Sequence, residues 1–418
     1  MIARVRGARK LEGEIRLPGD KSISHRGIIL GAIASGRSRL RGLSAGADVQ
    51  SSASCMRALG VDLDETTVMG VGLDGLRAAG APLDCGNSGT TMRLLAGLLA
   101  AQPFQTQLDG DASLSRRPMN RVVEPLVQMG ASATWPPLIV GAQTPLHGIR
   151  YEMPIASAQV KSAILLAGLY AGGVTALVEP VRTRNHTELM LLAMGADLKV
   201  AGTRVEVTRP ARLEPLDMDV PGDFSAAAFW IVGAGLLPGS RVRLLSVGVN
   251  PTRLAFAETL RASGWYITES DARTEGGEPV ADLELGPSST LRPIQIRDGM
   301  AAEMIDELPV LAVAATQIAG TSVIAGAAEL RVKESDRIAA MEEGLSAMGA
   351  DIAATDDGWV INGPRNLEGA RLRSCGDHRV AMALAIAGLI AGGSTEIEDA
   401  ECVDISYPEF FDHLEYLC

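Results

Sequence analysis

The chain has 418 residues, enough for two domains of roughly 150–250 residues, each with its own core. A composition 47% hydrophobic and 21% charged excludes disorder, and no run of uninterrupted apolar residues is long enough to read as a membrane span. A net charge of −12 without a basic tract argues against nucleic acid as a partner, yet a small anion remains possible because its site depends on local charge. The five cysteines, Cys55, Cys85, Cys375, Cys402 and Cys418, are an odd number with no CxxC pair, and no HExxH spacing occurs. Neither a disulfide framework nor a metal site is expected. The N-terminal MIARVRGARKLEG has no apolar signal core, so a cytoplasmic location is expected.

The first informative stretch is LPGDKSISHR, Leu17 to Arg26. A strand-like run meets Pro18-Gly19, and an apolar helical pattern succeeds it. Asp20 and Ser22 are both candidate N-caps, while Lys21, Ser22 and Arg26 crowd the first turns. Cations at the positive end of a helix are unfavourable unless an anion joins them. The plain alternative is a surface turn with two solvated cations.

The same device recurs along the chain. Helical openings stand at GDKS (19–22), GNSGT (86–90), ASAQ (156–159), GDFS (222–225), DELP (306–309) and GDHR (376–379). Each leads into an Ala/Leu/Ile-rich helix, a turn and a short strand. A second, amphipathic helix then closes on Gly60, Gly130, Gly195, Gly264 or Gly349, at spacings of 70, 65, 69 and 85 residues. The sixth such helix is PEFFDHLEYL. Six units divide into three and three. The predicted domains are 20–221 and a discontinuous 1–19 plus 222–418, crossing near Gly19 and Gly222 as a hinge. Helix N-termini facing a shared gap would gather partial positive charge.

At the openings stand Lys21, Ser22, Arg26, Asn87, Ser88, Gly89, Thr90, Arg93, Ser157, Gln159, Lys161, Asp223, Asp306, Asp377, His378 and Arg379. Polar connectors add Arg116-Arg117-Pro118, Arg182-Thr183-Arg184 and the run from Arg331 to Arg337. Gly89 lets an anion approach backbone amides, or merely lets helices pack. Pro118 suits the first position of a helix. Asp306 reads as an N-cap or a proton carrier; Glu334 and Arg337 read as a surface pair or as functional groups beside Lys333. Two carboxylates among many cations point to proton transfer on a polyanionic substrate.

Taken in order, LPGDKSISHR, GNSGTTMRL, RRPM, ASAQVKSAILLAGL, DELPVLAVAA, RVKESDR and GDHRVAMALA resemble the 5-enolpyruvylshikimate-3-phosphate synthase family, from Leu17 to Phe411. The resemblance implies an α/β fold of two similar domains, each of three βαβαββ repeats with buried parallel helices, closing on substrate as an inside-out α/β barrel. It implies transfer of the enolpyruvyl group of phosphoenolpyruvate to the 5-hydroxyl of shikimate 3-phosphate, with release of phosphate. Addition followed by elimination is the implied course, in the shikimate pathway to chorismate and aromatic amino acids. By the same resemblance Lys21, Ser22, Arg26, Ser157, Gln159, Arg184, Asp306 and Lys333 contact shikimate 3-phosphate. Lys21, Gly89, Arg117, Gln159, Arg337 and Arg379 contact phosphoenolpyruvate. Asp306 takes the hydroxyl proton, Glu334 serves the methylene carbon, and Lys21 serves the leaving phosphate. No metal or organic cofactor is implied, glyphosate is an expected inhibitor, and a monomer is expected.

Three departures from the enterobacterial forms point to the more divergent bacterial class. Ile405 stands where those forms have a Lys, Ala158 replaces a second Ser, and Leu94 replaces a Pro. The sister enzyme that acts on UDP-N-acetylglucosamine is the nearest alternative, but it carries Lys-Asn at the first helix and a loop cysteine. Here the pair is Lys21-Ser22, and Cys55 and Cys85 lie in no comparable loop. A non-catalytic dianion receptor would need the cations but neither Asp306 nor Glu334.

Overall fold

A computed structural model describes residues 1–142, 145–297 and 299–418. Two compact units emerge: Gly19–Val220 with Thr274–Glu278, and Met1–Pro18 with Pro221–Arg273 and Pro279–Cys418. The breaks lie one residue before those expected from sequence, and Thr274–Glu278, expected with 222–418, groups with the first unit. Within that unit the buried Glu278 carboxylate meets His186 Nδ1 at 2.8 Å.

The first unit contains α1 (Lys21–Ala32), α2 (Ala47–Ala58), α3 (Gly89–Leu99), α4 (Asn120–Gln128), α5 (Ala158–Gly168) and α6 (His186–Ala193). Helices α1, α3 and α5 are built of Ile, Leu, Ala and Gly with little polar face, and nearly every residue past their first turns is buried. That pattern belongs to a helix surrounded by protein. Gly97 on α3 is required by the close approach of α5, since a Cβ there would sit 2.2 Å from the Ala163 carbonyl oxygen. Helices α2, α4 and α6 close on Gly60, Gly130 and Gly195, whose φ values of +90°, +98° and +79° suit a left-handed helix end.

Three four-stranded sheets cover this core in one recurring order. In the first, Asp217–Asp219 runs parallel to Ser35–Arg41, which pairs antiparallel with Thr67–Val71, itself antiparallel to Asp62–Leu63. The strand from the end of the segment thus closes on the sheet at its beginning. Leu83–Asp84 with Thr106–Asp109, and Arg150–Glu152 with Thr175–Val178, are the parallel pairs of the other two. A helix bridges each of these two pairs, as a parallel connection demands.

The second unit contains α7 (Phe224–Leu236), α8 (Ala255–Ala262), α9 (Met300–Glu303), α10 (Leu308–Ala315), α11 (Arg337–Ala347), α12 (His378–Ile390) and α13 (Phe410–Leu417). Here α7, α10 and α12 are the buried helices. The N-terminal strands belong to this unit because their hydrogen bonds are made there. Glu12–Arg16 runs parallel to Arg241–Leu245, and Ile2–Arg6 lies antiparallel to Ser394–Glu398. Trp230 on α7 stacks on Phe410 at 5.3 Å and donates to Tyr407 Oη at 3.1 Å, fastening α13 to the core.

Two local expectations need correction. Pro118 is not the first residue of a helix: α4 begins at Asn120 with Met119 as its cap residue. Asp306 is not the cap of α10, because Glu307 occupies that position. With the capping role removed, the Asp306 carboxylate belongs to a different network.

Gly97→Ala is expected to lower unfolding stability by about 1–3 kcal/mol, because the added methyl meets backbone that cannot turn aside. Gly80→Ala, where nothing lies within 4 Å of the new Cβ, is the control and should shift it by less than about 0.5 kcal/mol. Urea midpoints of the two variants check the difference.

Candidate active site

In the first unit, Asp20 caps α1 by accepting from the Ile23 N–H at 2.9 Å, leaving Ser22 beyond the cap. Lys21 Nζ reaches Asp48 Oδ2 at 2.9 Å. Arg26 is 3% exposed, and its partners are all neutral. Nε donates to Thr187 Oγ1 at 2.7 Å, Nη1 to the Ser22 carbonyl at 2.8 Å, and Nη2 to Ser162 Oγ at 2.7 Å. Burial pushes this guanidinium down to about 10, opposed by Glu188 and Asp20 and reinforced by repulsion from Arg184. It is therefore still charged at neutral pH. A buried cation with neutral partners and a second cation nearby is an anion site in waiting.

The openings of α3 and α5 form one network. Ser88 and Ser157 are the N-caps, accepting from Thr91 N and Val160 N. Gln159 Nε2 donates to Thr90 Oγ1 at 2.8 Å, and Arg93 Nη1 donates to Gln159 Oε1. Arg117 Nη2 donates to Asn87 Oδ1 at 2.6 Å. A Cβ on Gly89 would lie 2.7 Å from Arg93 Nη1 and 3.4 Å from Arg117 Nη1, so the two guanidinium groups converge where the glycine leaves room. Arg93 was visible in the sequence as a cation at an opening but carried no assigned role there.

Lys161 has a different place from its neighbours. It is 1% exposed and lies between Glu179 and Glu188, so it does not stand ready for a ligand as an opening cation would. His25 carries no sequence signal of its own. Its Nδ1 meets Ser52 Oγ at 2.8 Å, Ser52 Oγ meets Thr91 Oγ1 at 2.8 Å, and Thr91 donates to Ser88 Oγ at 2.8 Å. This buried chain ties α1, α2 and α3 together at their openings. Burial, then repulsion from Lys21 and Arg26, holds the His25 imidazole well below its ordinary pKa of 6.5, keeping it neutral.

In the second unit three carboxylates gather on Arg337, at the start of α11. Nε donates to Asp377 Oδ2 at 2.7 Å, Nη2 to Glu334 Oε2 at 2.7 Å, and Nη1 approaches Asp306 Oδ1 at 3.5 Å. Burial alone would lower the Arg337 pKa, but Asp377, Glu334 and Asp306 outweigh it and raise the value. Asp377 caps α12 through Arg379 N and Val380 N and also accepts from Ser335 Oγ at 3.2 Å. Arg379 is 5% exposed, and among the described residues its guanidinium makes no hydrogen bond or ion pair. Burial lowers the Lys333 ammonium, against the pull of Asp306. Thus Asp306, Lys333, Glu334 and Arg337 share one cluster, with Arg379 one helix opening away. Ile405 ends a short turn, Ala400–Ile405, and packs against the apolar core of this unit.

Taken with this geometry, the repeat identifies the structural class. The solved structure of the enolpyruvyl transferase NikO from Streptomyces tendae has the same fold, with a TM-score of 0.79 at 18% identity, covering 100% of this chain and 97% of that one. The family is narrower. A family model described as EPSP synthase (3-phosphoshikimate 1-carboxyvinyltransferase) matches residues 5–414, and the chain belongs to that family. It is 50% identical to the 3-phosphoshikimate 1-carboxyvinyltransferase of Alkalilimnicola ehrlichii, over 97% of this chain and 93% of that protein. It is 48% identical to that of Herpetosiphon aurantiacus, over 97% of each. A solved EPSP synthase from Acinetobacter baumannii superposes with a TM-score of 0.89 at 42% identity, covering 100% of this chain and 98% of that one.

The buried neutral His25 gives a pH signature. Its native pKa lies below the unfolded value, so its contribution is complete above about pH 6.5 and is lost as pH falls, by at most about 1.4 kcal/mol per pH unit. Between pH 6.5 and 5.5 the wild type should lose about 1 kcal/mol more stability than His25→Gln. Parallel loss in the two proteins, measured by urea unfolding, contradicts the assignment.

Proposed function

We propose that the two clusters serve one reaction, transfer of the enolpyruvyl group of phosphoenolpyruvate to the 5-hydroxyl of shikimate 3-phosphate with release of phosphate. The observation that carries this reading beyond anion binding is the pair Asp306 and Glu334 held on the single guanidinium of Arg337 beside Lys333. A receptor for anions has no use for two proton carriers among its cations. In this reading Ser22, Arg26, Ser157, Gln159 and Arg184 hold shikimate 3-phosphate, joined by Lys21, Asp306 and Lys333. Lys21, Gly89, Arg117, Gln159, Arg337 and Arg379 hold phosphoenolpyruvate.

The chemistry is set by the groups. Glu334 as an acid protonates the methylene carbon, making the neighbouring carbon electrophilic, while Asp306 takes the proton from the attacking 5-hydroxyl. The C–O bond forms and a methyl group is left on the tetrahedral adduct. Glu334, now a carboxylate, removes a proton from that methyl group, the double bond returns, and phosphate departs beside Lys21. One acid–base residue is used in both directions. Holding two polyanions together costs several kcal/mol of repulsion and lost freedom, which preorganised Arg and Lys groups offset. No metal or organic cofactor enters this scheme.

We place the chain in the cytosol, where a reducing environment suits its five free cysteines, and expect a single chain to suffice. Phosphate release from phosphoenolpyruvate is expected with shikimate 3-phosphate and not with UDP-N-acetylglucosamine. Release with the nucleotide sugar alone, or with neither, contradicts the proposal. Glu334→Gln and Asp306→Asn should each lower turnover by about 10²-fold or more while leaving shikimate 3-phosphate binding, read by calorimetry, within a few fold. Lys21→Ala should weaken phosphoenolpyruvate binding as well as turnover. Glyphosate should inhibit in competition with phosphoenolpyruvate, because Gly89 leaves the space beside Arg93 and Arg117 open. A half-inhibitory concentration in the high millimolar range contradicts this.

A further inference from the structure

Lys161, Glu179 and Glu188 take no part in the substrate contacts proposed for the openings, yet they are buried together in the first unit. Lys161 Nζ lies 2.9 Å from Glu179 Oε2 and 2.7 Å from Glu188 Oε1, and the three side chains are 1%, 2% and 3% exposed. It also reaches the Thr183 carbonyl at 3.3 Å, in the connector that carries Arg184. Buried ion pairs of this kind seldom add net stability, so their presence asks for another account. The cluster has one more carboxylate than cation. The second oxygen of Glu188, Oε2, is buried and has no hydrogen-bond partner among the described residues.

The nearby cation is Arg26. Glu188 follows Thr187, whose hydroxyl accepts from Arg26 Nε at 2.7 Å, and Lys161 precedes Ser162, whose hydroxyl accepts from Arg26 Nη2 at 2.7 Å. The Ser162 and Thr187 hydroxyls are themselves 2.7 Å apart. Two adjacent residues of α5 are therefore stitched to two adjacent residues of α6, one pair by charge and one by hydroxyls, with Arg26 laid across the hydroxyl pair. Of the charges that act on Arg26, Glu188 is the carboxylate that most strongly opposes the effect of burial, so a Glu188 released from Lys161 is the group placed to pair with the guanidinium.

We propose that Lys161 is a positioning residue that tethers Glu188 and so keeps this carboxylate from closing onto Arg26, leaving the guanidinium for an anionic group of the substrate. This rests on the assignment of Arg26 to shikimate 3-phosphate. A protein carboxylate on Arg26 would have to be displaced by the ligand, and apparent affinity falls by the fraction of molecules in the open state. Closure in nine molecules of ten weakens binding about tenfold.

Calorimetric titration of shikimate 3-phosphate into the full chain tests this, with melting temperatures confirming that each variant is folded. Lys161→Met should weaken binding by about tenfold or more, with KM for phosphoenolpyruvate within about twofold of wild type. Lys161→Met with Glu188→Gln restores the original charge and should return affinity to within about threefold of wild type, a rescue that lost packing alone would not give. Glu188→Gln alone should bind no more weakly than wild type, and decides the matter if Lys161→Met does not fold. A folded Lys161→Met with unchanged affinity, a double variant as weak as the single, or a weakened Glu188→Gln overturns the proposal. Wild type that binds no shikimate 3-phosphate would contradict the substrate assignment instead, and the same series titrated with inorganic phosphate reads the Lys161 effect independently.

Discussion

Cationic side chains buried without matching counter-charges are the constraint on which the rest of this structure depends. Arg26 has neutral partners alone, and Arg379 has no side-chain partner among the described residues. A charge so placed loses hydration and meets no ionic partner in its place, a deficit that an arriving anion makes good. The fold makes the arrangement tolerable by supplying rigid buried helices, whose packing fixes where the guanidinium groups can go. Gly97 against Ala163 shows how little play is left between α3 and α5.

The second unit solves the opposite problem. There, three carboxylates surround Arg337, and the cation holds them close together. Asp377 is consumed structurally, since it caps α12 as well as meeting Arg337. Asp306 and Glu334 have no capping duty and stand beside Lys333, whose ammonium is made more acidic by burial. Carboxylates and cations thus occur there as one group, while the first unit gathers cations and hydroxyls. The same repeat has been loaded with different chemistry in its two halves.

Much of the fold was legible because it depends on local rules. Helices end on Gly60, Gly130, Gly195, Gly264 and Gly349, all with positive φ, and such endings are written in single residues. The openings were legible for the same reason. What could not be read was which opening residues point outward. Lys161 sits four residues after the α5 cap, as Arg26 sits six after the cap of α1, and the sequence treats both as available cations. Only the folded chain reveals that Glu179 and Glu188, 18 and 27 residues further on, meet Lys161. The His25–Ser52–Thr91–Ser88 chain was invisible because its members lie on three helices and only Ser88 stands out in the sequence. Asp306 reads in the sequence as a cap or a proton carrier because Asp before an apolar helix usually caps it; the capping alternative fails because Glu307, one residue on, takes that place.

The proposed mechanism stands on Glu334 giving and then removing a proton at the methylene carbon. Turnover in heavy water measures this directly, by mass and position of deuterium in the product. A methyl intermediate formed and broken by Glu334 predicts deuterium at the vinylic carbon of the product made by the wild type. Product formed without deuterium at that carbon would contradict addition followed by elimination, and with it the role assigned to Glu334.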